Sequence, residues 1–256
     1  MTQNIYDTSA FFDAYAKLDR SVQGLAGAPE WPTLRAMLPP VAGKRLLDLG
    51  CGYGWFCRWA RGQGAQRIVG VDVSHKMLQR ARELDAGDVA ASGLPTIEYL
   101  QGDLERLDLQ AMGANDATFD IAYSSLSLHY IADLAGLFGA IRHALKPGGP
   151  FVFSCEHPMV TAPQPQGWIT RDGGRKAWPV DGYLDEGART TDWLAPGVVK
   201  QHRTLATYLN LLIAAGFALE RIEEWGPSSA DLAAHPDWAG ERERPPFLLV
   251  AARASA

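Results

Sequence analysis

Residues 44–54 have the sequence KRLLDLGCGYG. The three leucines on either side of Asp48 form a short apolar run, which predicts a buried β-strand. Three glycines follow at alternate positions in residues 50–54, and glycine both tolerates positive φ and lets another molecule approach the backbone closely. An apolar helical pattern starts at Trp55. The segment therefore predicts a strand, a glycine turn and a helix N-terminus, an arrangement that can cradle a nucleotide.

A second predicted strand bears on whether the glycine turn binds a ligand. Residues 68–71 form this strand, which ends at Asp72, 22 residues after Gly50. In nucleotide-binding βαβ units an acidic residue about 20 positions past the glycines holds the ribose hydroxyls. The alternative is a tight strand-to-helix turn that binds nothing. The position of Asp72 favours the nucleotide-type site.

The spacing of the glycines distinguishes between classes of nucleotide site. A dinucleotide fingerprint is G-x-G-x-x-G, whereas this chain has D-x-G-x-G-x-G from Asp48 to Gly54. That motif resembles the first motif of the class I S-adenosylmethionine-dependent methyltransferases. Further segments occur in the order of that family over roughly residues 41–155, and they are GVDVS at 70–74, GDL at 102–104, FDIAYS at 119–124 and LKPGG at 145–149. The resemblance is specific for fold and cofactor and weak for substrate.

The resemblance implies S-adenosylmethionine as the cofactor, placed over the glycine turn with its ribose on Asp72. Asp103 would accept a hydrogen bond from the adenine amino group, and Val73 and Met77 would pack on the adenine ring. Cys51 lies within the turn, where a small side chain is needed, and is interpreted as a packing residue rather than a nucleophile. The implied cofactor-binding residues are Tyr15, Arg20, Gly50, Cys51, Gly52, Asp72, Val73, Met77, Asp103, Leu104, Ser124 and Ser125.

The N-terminal residues 1–40 are expected to form a helical cap. Aromatic and aliphatic residues alternate with polar ones in residues 5–20, which predicts an amphipathic helix. In many small-molecule methyltransferases a similar helix lies over the cofactor, so Tyr15 and Arg20 would face the methionine carboxylate. The alternative is a helix that only covers one end of the sheet.

Strands and helices alternate from residue 45 to residue 154, which predicts an α/β fold. The expected fold is a single domain over 1–256 with a doubly wound, Rossmann-like sheet of seven mostly parallel strands. The resemblance implies that the last two strands, residues 217–225 and 246–252, form an antiparallel pair at one edge. Ser74 is expected to cap a helix that ends near Leu84.

Residues 156–201 interrupt this alternation as an insertion after the fifth strand. They contain three tryptophans, five prolines and six glycines without a sustained helical period. A loop of this length is usually functional or disordered, and the tryptophan content argues against disorder. We expect an inserted substrate cover; a surface loop or a partner site is the alternative.

Composition bounds the possible partners. The net charge is −5 and the lysines and arginines are scattered, which argues against a nucleic-acid substrate. No apolar run reaches the 18 residues of a membrane span. The three cysteines lack metal-ligand spacing, so no metal is expected, and their odd number fits a reducing cytoplasm. No signal peptide is visible, and the oligomeric state is left open.

Methyl transfer from a sulfonium is an in-line displacement, so the protein mainly orients the acceptor and excludes water. No universal catalytic residue is expected, although an oxygen or nitrogen acceptor can need proton removal, most often by histidine. The candidates at predicted strand ends and helix starts are His129, Glu156, His157 and His202. For each of them the alternative is a side chain that only caps or bridges loops.

The predicted function is S-adenosylmethionine-dependent methyl transfer to a small-molecule acceptor, with oxygen, nitrogen or carbon left open as the acceptor atom. The acceptor is expected between residues 124–130 and the insertion. One alternative is an NAD-dependent oxidoreductase, which the D-x-G-x-G-x-G spacing and Asp103 disfavour. The other is a non-catalytic S-adenosylmethionine-binding protein, which would explain the absence of a recognisable catalytic motif.

Overall fold

A mostly parallel sheet forms the centre of the computed structural model, which describes residues 3–92, 97–107 and 118–255. The strands are β1 (Arg45–Leu49), β2 (Arg67–Asp72), β3 (Glu98–Gln101), β4 (Ile121–Ser125), β5 (Pro150–Glu156), β6 (Ile169–Thr170), β7 (Lys176–Ala177), β8 (Gly187–Thr191), β9 (Val198–His202), β10 (Phe217–Trp225) and β11 (Phe247–Ala254). The α-helices are α1 (Ser9–Tyr15), α2 (Asp19–Val22), α3 (Trp31–Met37), α4 (Trp55–Gly62), α5 (His75–Ser92), α6 (Leu134–Ala144), α7 (Pro158–Thr161), α8 (Leu205–Ala214) and α9 (Ser229–Ala234).

The order of strands in the main sheet confirms the predicted fold class. Within the described residues the sheet has seven strands in the order β10-β11-β5-β4-β1-β2-β3. Strands β1 to β5 pair in parallel, and β11 runs antiparallel to both β5 and β10. The chain leaves β1 towards β2 on one side and returns to β4 on the other. This switch point opens a crevice beyond the carboxyl end of β1, where open α/β sheets bind ligands.

Both faces of the sheet are buried, as the apolar run of β1 requires. Leu47 and Leu49 point into a cluster formed with α6 and α8, whereas Leu46 points to the opposite cluster with α3 and α4. Alternate residues of a strand face opposite sides, so one short strand contributes to two cores. Helices on both faces make the sheet doubly wound.

Short helices precede the sheet, and small antiparallel ribbons interrupt it after β5. The N-terminal segment contains α1, α2 and α3, and after α7 the inserted segment forms the hairpins β6–β7 and β8–β9. Among the described residues, no helix combines the length and the apolar composition needed to cross a bilayer.

The helix after β2 is longer than its sequence pattern predicts. Ser74 caps it as expected, because its Oγ accepts a hydrogen bond from the Met77 N–H at 3.1 Å, but the helix continues past Leu84 to Ser92. Asp85 is buried in an ion pair with Arg61 of α4. This tertiary contact stabilises helical backbone in a stretch whose polar residues and glycine suggest a loop.

Candidate functional site

The carboxyl ends of β1, β2, β4 and β5 surround a cavity of about 370 Å³, here called the main cavity. It is bordered by the glycine turn below, by the N-terminal helices, and by residues 125–131 and the insertion above. The predicted site residues that line it are Tyr15, Arg20, Gly50, Gly52, Asp72, Val73, Met77, Leu104, Ser125, His129 and Glu156. The fold therefore brings eleven of the sixteen predicted site residues to one place.

The glycine turn owes its shape to backbone conformations that other residues rarely adopt. Gly50 and Gly52 have φ of +74° and +51°, and the N–H groups of Gly50 and Cys51 both donate to the Val71 carbonyl of β2. A Cβ on Gly50 would lie 2.5 Å from the Cβ of Ser127. A Cβ on Gly52 would meet no atom of the described residues within 4 Å. The turn is closed beneath Gly50 and open above Gly52.

Asp72 ties the end of β2 to the glycine turn. Its Oδ2 accepts a hydrogen bond from the Gly52 N–H at 2.8 Å, and its Oδ1 accepts one from the Ser74 N–H at 2.9 Å. Burial raises the pKa of Asp72 to about 6, although these hydrogen bonds favour the charged form. Val73 and Met77 follow Asp72 along the same wall of the main cavity.

A smaller cavity of about 90 Å³ adjoins the glycine turn and is here called the side cavity. Cys51 lines it, together with Tyr15 and Arg20, which also border the main cavity. Arg20 forms an ion pair at 3.1 Å with Glu30, which is fully buried. Two polar atoms of this region, Glu30 Oε1 and Trp55 Nε1, lack hydrogen-bond partners among the described residues.

At the opposite end of the main cavity, His129 and Glu156 lie side by side. His129 Nδ1 accepts a hydrogen bond from the Glu156 backbone N–H at 3.2 Å, and burial lowers the pKa of the imidazole to about 4. Glu156 Oε1 accepts from the buried ammonium of Lys200 at 2.5 Å. Burial opposes ionisation of Glu156, but its electrostatic interactions with His129 and with Lys200 hold its pKa below the usual range. Its Oε2 is buried with no partner in the part of the chain that the structure describes.

Two of the predicted catalytic residues lie away from the main cavity, with both ring nitrogens engaged. His157 Nδ1 accepts from the Met159 N–H at 3.1 Å, and its Nε2 donates to Glu224 at 2.9 Å. His202 donates from Nε2 to the Tyr183 carbonyl at 2.9 Å, and its Nδ1 bonds Thr161 Oγ1 at 2.8 Å. These histidines bridge loops in the structure, and a catalytic role for them stays a prediction.

Two predicted cofactor residues support the site from behind. Asp103 accepts from the Glu105 N–H at 3.1 Å and so caps a short 3-10 helix, whose first residue Leu104 faces the main cavity. Ser124 donates to the Leu49 carbonyl at 2.8 Å, joining the ends of β4 and β1. The assignment of adenine to Asp103 stays a prediction.

A third cavity, of about 610 Å³, opens beside Glu156 and was not foreseen from sequence. This distal cavity is lined by Trp178, Trp193, Trp225, Trp238, Phe247 and Arg244 among others, and it shares Glu156, Trp193, Trp238 and Phe247 with the main cavity. Trp225 and Phe247 are register partners across β10 and β11. The sequence feature that could have predicted this cavity is the pair of aromatic residues at the facing ends of the two predicted edge strands.

Comparisons with known proteins agree with this geometry. Residues 47–153 match the family model described as a methyltransferase domain. An S-adenosylmethionine-dependent methyltransferase from Mesorhizobium loti, known from its crystal structure, is 53% identical and superposes with a TM-score of 0.81, covering 90% of this chain and 100% of that one. An uncharacterized protein of Haemophilus influenzae is 34% identical over 98% of this chain and 96% of its own length.

The acceptors named for more distant relatives belong to proteins that this chain matches only in part. The malonyl-[acyl-carrier protein] O-methyltransferase of Pectobacterium atrosepticum is 30% identical over 64% of this chain and 56% of that protein. The full-length similarity to the Mesorhizobium loti enzyme is the stronger finding. Together with the strand order and the glycine turn, it shows that this chain belongs to the S-adenosylmethionine-dependent methyltransferases.

Proposed function

We propose that this methyltransferase acts on a small molecule that presents an N–H or O–H group to Glu156. The supporting observation is Glu156 Oε2, a buried carboxylate oxygen without a hydrogen-bond partner among the described residues, at the junction of the main and distal cavities. Leaving such an atom unpaired costs about 1–3 kcal/mol or more. A donor on the bound acceptor would remove that cost.

The main and side cavities fit S-adenosylmethionine. The open space above Gly52 admits a ligand against the backbone, and Asp72 offers a carboxylate to ribose hydroxyls. In the side cavity, Arg20 and Trp55 Nε1 are donors for a carboxylate, and the unpaired Glu30 Oε1 is an acceptor for an ammonium group. That pairing of opposite polarities matches the amino-acid end of the cofactor.

The bound cofactor supplies an activated methyl group, so the chain has to bind, orient and desolvate the acceptor. Lys200 keeps Glu156 charged, so Glu156 accepts a hydrogen bond from the N–H or O–H group of the methyl acceptor and takes up its proton as that group is methylated. His129 is neutral at pH 7 and its Nδ1 is engaged, so Nε2 carries the proton. His129 is therefore a hydrogen-bond donor to the acceptor and not its base.

A carboxylate acceptor, as in the O-methyltransferases named above, is the second candidate. In this chain its oxygen would have to lie beside the unpaired carboxylate oxygen of Glu156, and like charges at that distance repel. The charge of Glu156 favours an amine or hydroxyl at the reacting end. Trp193 and Phe247 around it suit a small, partly apolar molecule.

The experiment follows labelled methyl transfer from S-adenosylmethionine to a panel of small amines, phenols and carboxylic acids. We expect transfer to members with N–H or O–H groups, its loss in Glu156→Gln, and partial recovery in Glu156→Asp. Calorimetric affinity for S-adenosylhomocysteine should remain within about twofold in both variants, because Glu156 lies beyond the glycine turn. Transfer only to carboxylates, or undiminished transfer by Glu156→Gln, would contradict the proposal. A thermal shift with NAD but not S-adenosylhomocysteine would contradict the cofactor.

A further inference from the structure

The distal cavity is lined by buried hydrogen-bond donors that have no acceptor among the described residues. Arg244 is only 8% exposed, and its Nε has no hydrogen-bond partner among the residues described. Gln166, on the insertion, lines the same cavity, and its buried Nε2 also has no hydrogen-bond partner among the described residues. Buried donors are normally paired, so two unpaired donors at one cavity, Arg244 Nε and Gln166 Nε2, point to a ligand that carries acceptor atoms.

The charge of Arg244 is only partly compensated within the protein. Glu241 forms an ion pair with Nη1 at 2.9 Å, whereas Nε has no hydrogen-bond partner among the described residues. Burial lowers the pKa of the Arg244 guanidinium. Of the other carboxylates of the cavity, Asp192 accepts the Gly197 N–H. Glu156 pairs with Lys200 through Oε1, and its charge also acts on Arg244.

Aromatic rings hold the guanidinium in place. Its carbon lies 4.2 Å from the ring centroid of Trp178 and 5.3 Å from that of Trp168. The rings fix the plane of the guanidinium, and a planar guanidinium with free N–H groups is suited to bidentate pairing with a carboxylate. Arg244 itself is largely buried, which strengthens such a pair.

We propose that the distal cavity binds the far end of the methyl acceptor and that this end is a carboxylate, held by Arg244 and Gln166. The inference rests on the proposed function, because it assumes an acceptor whose reacting end lies at Glu156. The two ends are then told apart by charge: Glu156 repels a carboxylate and accepts an N–H or O–H, whereas Arg244 attracts the carboxylate. The acceptor class is a small amino or hydroxy acid with an apolar body that packs against Trp193 and Phe247.

The test uses a matched pair of probes, 3-phenylpropanoate and 3-phenylpropanamide, titrated into the protein loaded with S-adenosylhomocysteine. Binding is followed by tryptophan fluorescence, because Trp178 and Trp193 line the cavity. We expect the carboxylate to bind about 10-fold more tightly than the amide, the size of one charge-assisted hydrogen bond. Equal binding of the two probes, or no saturation with the carboxylate up to about 10 mM, would overturn the assignment.

Variants locate the binding. Arg244→Gln should abolish the preference for the carboxylate, whereas Arg175→Gln, at an exposed arginine of the insertion that pairs with Glu243, should preserve it. Gln166→Leu removes one donor without a change of charge and should weaken carboxylate binding about threefold or more; it decides the matter if Arg244→Gln does not fold. A carboxylate preference that survives Arg244→Gln would place the carboxylate elsewhere. Where Arg244→Gln does not fold, carboxylate binding that Gln166→Leu leaves undiminished would do so.

The probes carry no methyl-accepting group, so their binding is independent of transfer. Carboxylate preference without any methyl transfer to amines or hydroxyls would leave the distal subsite standing and remove the proposed function at Glu156. Methyl transfer without carboxylate preference would support the proposed function at Glu156 and remove the distal subsite. The two proposals therefore fail separately.

Discussion

The Nδ1 atom of His129 accepts a hydrogen bond from the backbone N–H of Glu156, with 3.2 Å between the two nitrogens. The contact joins the segment after β4 to the end of β5 and fixes which ring nitrogen bears the proton. The sequence predicts His129 as a candidate general base. In the structure only its Nε2–H is left to contact the methyl acceptor, and that group is a hydrogen-bond donor. Protonation of His129 would break the contact.

The first prediction concerns the pH dependence of stability. The native pKa of His129 is about 4, whereas an unfolded histidine titrates near 6.5. Between these pH values the unfolded chain binds a proton that the native state does not, so stability falls as pH is lowered through this window. At about 1.4 kcal/mol per unit, the loss attributable to His129 approaches about 3 kcal/mol at pH 4.

Other groups titrate in the same range, so the measurement compares two proteins. His129→Asn keeps an acceptor oxygen for the Glu156 N–H but cannot titrate. Urea unfolding at several pH values should show the stability advantage of the wild type over His129→Asn shrinking between pH 6.5 and 4. Parallel stability curves would show that His129 is not held neutral.

The second prediction concerns the open space above Gly52. Gly52→Ala should weaken binding of S-adenosylhomocysteine by at least about 10-fold, because the methyl group enters space assigned to the cofactor. Gly43→Ala is the matched control: Gly43 has φ of +70° and equally open surroundings but lies outside the cavities described above. Both variants should lose about 1–2 kcal/mol of stability from the left-handed backbone.

Calorimetry and thermal unfolding separate these two effects. Only Gly52→Ala should lose affinity, while the melting temperatures of the two variants fall by similar amounts. If Gly43→Ala loses as much affinity as Gly52→Ala, general strain explains the result and the cofactor does not lie over Gly52.

The third prediction concerns Asp72 as the ribose partner. Asp72→Asn should weaken S-adenosylhomocysteine binding by about 1.5–3 kcal/mol, the value of a hydrogen bond to a charged group. The variant also loses one acceptor for the Gly52 or Ser74 N–H, so stability should fall as well. Asp120→Asn is the control, because Asp120 likewise accepts a backbone N–H, that of Arg45 at 2.8 Å, but does not line the main cavity.

Calorimetric affinity is the deciding measurement for Asp72. Asp120→Asn should lose stability without losing affinity. Unchanged affinity in Asp72→Asn would refute the ribose assignment even if the variant is less stable.

The sequence was sufficient where function depends on local chemistry. The glycine turn, Asp72 at the end of β2 and the Ser74 cap were all predicted and are present, because each depends on a few neighbouring residues: positive φ needs glycine, and a cap needs a short polar side chain. The mostly parallel direction of the strands followed from the alternation of elements, since parallel strands require crossover helices.

Side-chain partners far along the chain could not be predicted. His129, His157 and His202 are equivalent in the sequence, yet only His129 faces the main cavity, since Glu224 and Tyr183 engage the other two. The length of α5 likewise depends on a buried ion pair with another helix.

The distal cavity shows most clearly the difference between what the sequence determines and what the tertiary structure determines. The sequence by itself determined the fold class, the cofactor turn and the residues able to form them, because backbone conformation and hydrophobic periodicity are encoded within short segments. Only the tertiary structure placed Arg244 and Gln166 in one cavity and placed Glu156 where that cavity meets the main cavity. The reason is physical: the direction of a side chain, its burial and the pairing of its polar atoms are set by packing between segments distant in sequence.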